Sequence, residues 1–590
     1  YGDGGTSMQN PYWIINRNLF LNDKDRYMFN VGVTWDVVDW FNISARARLD
    51  NDVVTPEKKY YAGTSGKFAQ EKGYYAYAKH TNMQAYADVI GNVNKSFGDF
   101  DLTAHVGASL SHLKHGELGY FGHLKQIPNF FAVNNVDLNA SSSGVRHYRY
   151  TDVTQSIFAS ADLGYKSMAY LSVTARNDWA SALANTEQLS FFYPSVGGSV
   201  ILSEIFDMPK WVTFLKLRGS YSNVGSAIPR FLSIPTYPYN NQGILSTITR
   251  YPVGKLYPEK TRSYELGLNF RTLENRLNLD VTYYKSNTFN QTFNAPISAS
   301  TGYSSIIVQT GNVRNWGIEA SLSYSDTFGK DFTWDSQLTF SMNRNKIMSL
   351  VDGFNDPITG LPLNMPEMEF SKAGTYLMKL VPGGSIGDIY ATSFLRTDNQ
   401  GDIWVDPSSN TLGTPVDETI KVGNANPDYN LSFRNSFSWK GIHLGCLFTT
   451  RIGGEVVSAT QAAMDNYGVS EASAIARDNG GVQVNNGKLD AQYFYQFIGG
   501  GETGMISQYV YSATNVRLQE LTLGYTLPRE WFKNKLGLTV SFIGRNLWMI
   551  YNKAPFDPEL TSSTGTYYQG FDYFMQPSTR NLGFSVKFDY

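Results

Sequence analysis

The chain has 590 residues and a formal net charge of −2, with 15% aromatic and only 17% charged residues. A nearly neutral chain offers no basic field, which excludes nucleic acid as an expected partner. Its one cysteine, Cys446, excludes an internal disulfide and a multi-cysteine metal site. The chain contains no apolar run of about 18 residues, so a membrane-spanning helix is not predicted.

Alternation of apolar and polar residues predicts about 17 β-strands, each with one apolar and one polar face. In residues 276–286, Leu277 and Leu279 point one way while Asn278 and Asp280 point the other. The predicted strands lie near residues 26–36, 40–50, 82–95, 100–110, 155–165, 168–178, 193–203, 212–222, 263–271, 276–286, 315–324, 332–344, 431–439, 441–450, 515–526, 535–545 and 579–590. With 39 Tyr, 36 Phe and 53 Gly, this pattern indicates an all-β, antiparallel transmembrane barrel with aromatic rims.

One predicted strand changes its parity. In residues 515–526 the apolar positions shift between Leu518 and Leu521, which predicts a β-bulge near Gln519 and Glu520.

The predicted connections alternate between short and long. This alternation is typical of outer-membrane barrels, in which short turns face the periplasm and long loops face the outside. Short links are predicted at residues 37–39, 273–275 and 440–441. Long loops are predicted near residues 51–72, 111–154, 223–262, 345–426, 451–512 and 546–578.

The strand count predicts an incomplete wall. Counting back from a final strand that ends in the periplasm places Tyr1 in an extracellular loop, whereas single-chain bacterial barrels have an even number of strands. An open sheet in lipid would also leave backbone groups unpaired at both edges. We therefore expect the chain to be a fragment of a longer polypeptide, or a partner polypeptide to close the sheet.

Several segments, in chain order, resemble the signatures of the SusC-like TonB-dependent transporters, and it is their order that carries the resemblance. They are NPYWIINRN (10–18, similar to a loop of the family), FFYPSVGGSV (191–200), LKLRGSYSNVG (215–225), LYPEKTRSYELGLNF (256–270), GNVRNWGIEASLSY (311–324), VGNANPDYNLSFRNSFSWKG (422–441), VRLQELTLGYTLP (516–528) and RNLWMIYNKAPFDPEL (545–560). The last strand, TRNLGFSVKFDY (579–590), resembles the C-terminal signal that is read by the barrel-assembly machinery.

The resemblance implies a complete barrel of roughly 22 strands, so residues 1–590 are expected to be a partial TonB-dependent receptor-like barrel domain. It also implies an N-terminal plug domain and a TonB-contacting segment that are absent from this chain. The implied partners are a SusD-like surface lipoprotein, TonB and outer-membrane lipid. The implied location is the cell outer membrane.

Import of oligomeric nutrients is the leading functional hypothesis, with oligosaccharides favoured and oligopeptides as the alternative. It requires no cofactor. An outer-membrane hydrolase barrel is a second hypothesis, but the sequence shows no Ser/His/Asp set with persuasive spacing. A passive porin, a third, would lack the plug and the long loops.

Charged residues of inward parity are the first candidates for a solute path or a plug contact. They are Arg46, Arg48 and Asp50 on one strand, Arg176 and Asp178 on another, and Lys216 and Arg218 on a third. Ordinary solvated lumen residues are the favoured interpretation of all of them.

Aromatic residues beside amides are the second set, because a sugar stacks its C–H face on a ring and hydrogen-bonds through its hydroxyls. The candidates are Tyr120, Tyr237, Tyr239, Asn240 and Asn241, from the stretches 120–131 and 236–243. For each of them a membrane belt or a lipoprotein contact is the favoured interpretation.

No metal site is predicted. Residues 396–406 depart from the calcium-loop template, which favours a solvated turn. His112 and His115 are the closest histidine pair, and without a third ligand nearby they make a poor site.

Overall fold

One antiparallel sheet of 17 strands forms the framework of the protein. The computed structural model describes residues 9–234, 236–237, 244–253, 256–297, 299–309, 311–351, 365–565 and 567–589. Each strand of the sheet pairs with the next in chain order. Within the described residues the first strand pairs only with the second and the last only with the one before it, so the sheet has two edges.

The strands of this wall are numbered in chain order. They are β1 Asn18–Val38, β2 Phe41–Tyr61, β3 Gly73–Phe97, β4 Phe100–His123, β5 Gly144–Tyr165, β6 Ala169–Ala180, β7 Ser190–Ile201, β8 Val212–Ser226, β9 Glu259–Thr272, β10 Leu277–Phe289, β11 Asn312–Phe328, β12 Phe332–Ser349, β13 Tyr429–Trp439, β14 Ile442–Ile452, β15 Asn515–Leu527, β16 Gly537–Asn552 and β17 Asn581–Asp589. Every predicted strand corresponds to one of these, so the predicted antiparallel β architecture is confirmed.

Helices and short strands lie outside this wall. The α-helices are α1 Pro11–Arg17, α2 Leu202–Ile205, α3 Ala459–Asn466, α4 Glu471–Asp478 and α5 Ala491–Gly499. The 3₁₀ turns are Val133–Asn135, Ser181–Leu183, Ala299–Thr301, Ile506–Gln508 and Arg529–Phe532. The short strands are Arg250–Tyr251, Thr292–Pro296, Ser305–Gln309, Met368–Ala373, Tyr376–Leu380, Asp388–Ala391, Val405–Asp406, Thr411–Leu412, Ile420–Asn424, Glu455–Ser458, Val482–Val484, Gly487–Leu489, Val510–Ser512 and Phe571–Asp572. No helix among the described residues combines the length and the apolar character needed to cross a membrane.

The two faces of the wall differ sharply in polarity. Leu217, Leu268, Val281, Ala320 and Phe340 stand in register across five neighbouring strands, on one face. Large side chains of this face are exposed, such as Leu217 at 46%. A continuous exposed apolar face is what lipid requires, so this face is the lipid-facing side and the opposite, polar face is the lumen side.

Aromatic rings gather where the strands meet the short turns. The Phe97 and Phe100 rings stack at 5.8 Å across one turn, and Phe100 lies 4.9 Å from Tyr165 at the next. Trp211 and Phe270 meet edge-on at 6.0 Å. These rings form the aromatic rim that anchors a barrel at the membrane–water boundary.

The predicted bulge in β15 is confirmed. Leu447 pairs with Glu520 and Phe448 pairs with Leu518, which leaves Gln519 without an opposite residue. The extra residue keeps apolar side chains on the lipid face on both sides of the irregularity.

About half of each of two predicted long loops is instead strand. β2 continues to Tyr61 and β4 to His123, while β5 already begins at Gly144. Residues 51–61 and 111–123 therefore belong to the wall. The apolar–polar alternation fades there because strands that rise above the lipid have water on both faces, yet their backbone hydrogen bonds continue.

The segment at residues 10–18 also differs from its expected loop structure, because it contains α1. Asn10 caps this helix by accepting a hydrogen bond from the Tyr12 amide, and Pro11 occupies the first turn.

The predicted short links at 273–275 and 440–441 are confirmed as tight turns with positive φ values, while the first link lies at Asp39–Trp40 because β1 continues through Val38. Gly441 has φ +86°, and a Cβ there would stand 2.6 Å from the Thr526 carbonyl oxygen. Gly329, in another turn, has φ +66° and open space around it.

We expect Gly441→Ala to destabilise the wall by more than the roughly 1–2 kcal/mol that a left-handed alanine costs. Gly329→Ala is the matched control, because it incurs the backbone cost without the clash. Urea titration of the folded protein in lipid vesicles measures both. Equal midpoints for the two variants would contradict the steric argument.

Candidate functional site

The extracellular loops fold over the lumen face of the wall, and a buried ion pair holds one of them there. Arg517 projects from β15 toward the lumen, next to Thr449 of β14. Its guanidinium donates two hydrogen bonds to Asp557, at 2.8 Å and 3.2 Å, and lies 3.2 Å from Glu559. The Arg517 and Asp557 side chains are only 6% and 9% exposed. The pair therefore fixes the loop of residues 553–580 against the wall.

Burial opposes ionisation of Asp557, but the hydrogen bonds from Arg517 and from the Glu559 amide outweigh it and hold the pKa of Asp557 below its usual range. The folded protein thus favours the ionised form of Asp557.

A second anchor holds the loop of residues 365–428. Asn345 projects from β12 on the lumen side, and its side-chain oxygen accepts the Ile386 amide at 2.9 Å. Farther along this loop, Asp388 is buried and accepts hydrogen bonds from Asn424 and Lys421, both at 2.7 Å. The Asn345 contact ties the loop to the lumen side of β12, while the Asp388 contacts join two parts of the loop to each other.

The loops have apolar cores of their own. One core includes Tyr376, Ile389, Val457 and Phe571, and is built from three separate loops. Burial raises the pKa of Tyr376, whose hydroxyl donates to the Gln569 carbonyl at 2.7 Å. Since each loop contributes only part of the core, the loops form one packed assembly, which we call the loop cap (residues 365–428, 453–514 and 553–580).

The loop cap contains a cavity of about 850 Å³ between α3, α4 and the 555–578 segment. The lining residues are Ser458, Thr460, Gln461, Met464, Ser470, Glu471, Ala472, Ile475, Tyr511, Pro555, Phe556, Asp557, Leu560, Asp572, Met575, Pro577 and Ser578. It combines aromatic rings, flexible methionines, hydroxyls and three carboxylates. A cavity of this volume, with a mostly apolar lining and a few polar groups, is typical of a site for a small or oligomeric ligand.

The cavity walls are braced by hydrogen bonds. Ser458 caps α3 and donates to Asp572 at 2.5 Å, and the Thr460 hydroxyl accepts the Phe574 amide at 2.7 Å. Burial raises the pKa of Tyr511 to about 12, and its ring packs edge-on against Phe556 at 5.6 Å. The aromatic side of the cavity is therefore rigid.

The predicted charged residues lie on the lumen face of β2, β6 and β8, where most are paired with neighbouring strands. Arg46 makes a two-pronged contact with Asp88 of β3, with both N···O distances at 3.0 Å. Asp50 joins Arg48 at 2.9 Å to Arg26 of β1. The cation and the carboxylate of each pair satisfy one another across the strands.

The other charged candidates have partners within the same strand, on another strand or on an aromatic ring. Arg176 bonds Asp178 at 2.8 Å, and Tyr193 donates to the same carboxylate at 2.6 Å. Arg218 holds Asp280 through two bonds, at 2.8 Å and 3.0 Å. Lys216 lies over the Tyr170 ring at 5.9 Å. A role for these groups along a solute path stays a prediction.

The aromatic candidates are placed differently. Tyr120 has the lipid-side parity of β4, where it stacks on Tyr77 at 5.6 Å and packs against a cluster around Leu124 and Val136. Tyr237 is exposed. Tyr239, Asn240 and Asn241 lie outside the described residues.

Sequence reasoning missed the cavity, because residues 451–512 and 546–578 were predicted only as long loops. One usable signal was present: Ser458, Ser470 and Asp490 each accept a hydrogen bond at the start of a helix. Side chains of this type just before a helical segment are recognisable N-caps.

The calcium-like segment forms a turn closed by its own backbone. The Asp398 carboxylate accepts the amides of Gln400 and Asp402, at 2.8 Å and 3.0 Å. This arrangement agrees with the favoured interpretation of residues 396–406 as a solvated turn.

Comparison with known proteins decides the family. Residues 1–455 match the family model described as TonB dependent receptor-like, beta-barrel. The chain belongs to this family. It is an outer-membrane β-barrel of the TonB-dependent receptor type, the wider family that its resemblance to the SusC-like transporters predicted.

Relatives of this receptor agree with the assignment. The TonB-dependent receptor P3 of Formosa agariphila is 25% identical to it over 99% of this chain and 60% of the relative. TonB-dependent receptor SusC of Bacteroides thetaiotaomicron is 23% identical over 56% of this chain and 34% of that protein. The receptor chain thus spans about 60% of the length of the first of these relatives.

Solved structures support the receptor fold. The RagAB peptide transporter aligns with the whole chain at a TM-score of 0.74 and 20% identity, with 64% of that chain covered. The open-open state of the RagAB peptide importer gives a TM-score of 0.77 and 19% identity, again over the whole chain and 63% of that structure. At this identity the likeness concerns the fold.

Proposed function

We propose that the receptor imports oligomeric nutrients, chiefly oligosaccharides, across the outer membrane in a TonB-dependent manner. In this proposal the barrel works with a SusD-like surface lipoprotein, and the complete transporter also contains a plug domain and a TonB-contacting segment. Membership of the TonB-dependent receptor family carries the proposal. The continuous polar face of the wall supplies the aqueous path that such import needs.

The loop cavity supports capture of an oligomer. Tyr511 and Phe556 offer rings to stack against a sugar, while Gln461 and Thr460 offer donors and acceptors for hydroxyls. Its volume of about 850 Å³ accommodates a ligand of several units.

Import of oligopeptides is the second candidate, and two observations favour it. The RagAB structures to which the fold is similar are named as a peptide transporter and importer. The described lining of the cavity also contains no lysine or arginine. Two of its three carboxylates, Glu471 and Asp572, form no ion pair with a described residue, which suits a ligand with a positive charge.

Growth of a deletion mutant and ligand-binding measurements distinguish oligosaccharide import from oligopeptide import. Cells that lack the full-length gene should fail to grow on one class of purified oligomer, either glycans or peptides, and should grow normally on its monomers. Equal growth of mutant and parent on all sources would count against import altogether.

Binding measurements on variants test whether the ligand occupies the loop cavity. Calorimetry with the purified full-length protein and its lipoprotein partner measures the affinity for the oligomer that supports growth. Phe556→Ala should lower this affinity by about tenfold, which corresponds to the loss of one aromatic contact of ~1–1.5 kcal/mol. Tyr467→Ala removes a 67% exposed ring that is not part of the cavity lining, and serves as the control. Equal affinity of both variants would place the ligand elsewhere.

A further inference from the structure

Three potential metal ligands meet on the lumen face of β3 and β4. They are His80, His115 and Glu117, and one ligand atom from each lies within 4.8 Å of the other two. The strand register brings them together, because His80 is directly opposite Glu117 and Asn82 is directly opposite His115. Residues two apart on a strand share a face, so all of these side chains project to the same side.

This face is the polar one, and the cluster lies near the extracellular end of the wall. The register continues from Asn82 to Asp52 of β2 and from His115 to Tyr150 of β5. The Tyr150 ring stacks on His115 at 4.8 Å. The cluster is therefore reached from the lumen and held on paired strands rather than on a loop.

The hydrogen-bond pattern prepares His115 for coordination. Its Nδ1 lies 2.6 Å from the Asn82 side-chain oxygen. Since that oxygen can only accept, Nδ1 carries the proton and Nε2 presents its lone pair. A second partner that fixes the tautomer and orientation of an imidazole in this way is a regular feature of metal-binding histidines.

Glu117 supplies the second observation. Its Oε1 atom is buried and has no hydrogen-bond partner among the residues that the structure describes. Arg146 forms an ion pair with this oxygen at 3.7 Å, which is too long for a hydrogen bond, and the Glu117 Oε2 atom lies 3.8 Å from His80 Nδ1. A buried carboxylate oxygen that accepts no hydrogen bond costs free energy, and a directly bound cation would lower that cost.

We propose that His80, His115 and Glu117 bind a divalent transition-metal ion of the Zn²⁺ class, with the remaining coordination position open to the lumen. Two imidazoles and one carboxylate are a recurrent three-ligand zinc set, whereas Ca²⁺ and Mg²⁺ prefer oxygen ligands alone. Zn–ligand bonds of about 2.0–2.1 Å require ligand atoms roughly 3.3 Å apart, so ligand atoms that now lie up to 4.8 Å apart must approach by up to about 1.5 Å on binding.

The site differs from the histidine pair that is visible in the sequence. His112 stands three residues before His115, an odd separation that places it on the opposite, lipid-facing side of β4. The proposal stands on the wall alone and does not depend on which nutrient is imported.

Zinc titration of the full-length protein, purified without a histidine tag and stripped by chelator, tests the proposal. Calorimetry should show one saturable Zn²⁺ site, and His115→Ala or His80→Ala should abolish it. Asn82→Ala should weaken it by about 10–100-fold, the effect of losing a group that orients a ligand. Binding of Co²⁺ should give the visible absorption of a low-coordinate site, and that absorption should disappear in His115→Ala.

His112→Ala is the matched control and should bind Zn²⁺ like the parent protein. Each variant is checked for folding by its resistance to protease. Absence of saturable Zn²⁺ binding in the parent, or retention of full affinity by a folded His115→Ala variant, would overturn the proposal. Failed nutrient import with intact Zn²⁺ binding would count against the proposed function and leave this site standing.

Discussion

Arg517→Ala should release the 553–580 segment of the loop cap from the wall while the strands stay folded. The substitution removes both hydrogen bonds to Asp557 and leaves a buried carboxylate without its cation. Breaking one side of such a buried pair costs about 3–5 kcal/mol. Hydrogen exchange of the segment should accelerate by about 10²–10³-fold, since each 1.4 kcal/mol is a factor of ten.

Arg545→Ala is the matched control. Arg545 also pairs with a carboxylate, Glu520 at 3.0 Å, but its side chain is 63% exposed. Exposed pairs contribute at most about 1 kcal/mol, so exchange should change little. If both variants behaved alike, the ion pair at Arg517 would not be what holds the loop.

Acid should reproduce part of the Arg517→Ala effect. The pKa of Asp557 is lower in the folded protein than in the unfolded chain, so its contribution to stability is complete above about pH 4. The contribution is lost as the pH falls through the depressed folded value. Protection of the segment should therefore decline below about pH 4 in the parent and depend less on pH in Arg517→Ala.

A charge on the lipid-facing side should be the other severe change. Leu217 lies about five residues above the short-turn end of β8, near the middle of an apolar band about 25 Å tall. Leu217→Arg should destabilise the folded barrel in lipid by about 2–4 kcal/mol, because the guanidinium must lie at the bilayer midplane. Urea titration in vesicles of the full-length protein measures the shift.

Ser220→Arg provides the comparison on the same strand. Ser220 has the opposite parity and lies between Gly197 and Glu265 on the lumen side. The new cation would have water and a carboxylate beside it, so a shift of less than about 1 kcal/mol is expected. A larger effect for Ser220→Arg than for Leu217→Arg would reverse the assignment of the two faces.

Sequence alone predicted the wall well because lipid imposes a strict alternation on every strand that crosses it. Even the irregularity at Gln519 was readable, since a single extra residue displaces all later apolar positions. Residues 51–61 and 111–123 were predicted as loop because that constraint ends at the membrane surface. Above it, backbone pairing alone maintains the strand, and pairing leaves little trace in composition.

Contacts between strands were the harder part of the site. Arg46 was predicted on the lumen face, but its partner Asp88 belongs to another strand and follows only from the register. His80 and His115 meet for the same reason, 35 positions apart in the chain. The loop cavity could not be predicted, because packing between loops depends on which loops the wall brings together.

The strands of the wall differ in length, so its extracellular edge is higher on one side than on the other. β3 has 25 residues, whereas β6 has 12. At about 3.4 Å per residue and a tilt near 40°, these correspond to heights of roughly 65 Å and roughly 30 Å. The side of the wall that contains β3 therefore extends far above the lipid, whereas the side that contains β6 ends close to the membrane surface. The loops after β2 and β4 therefore begin farther from the bilayer than the loop after β6.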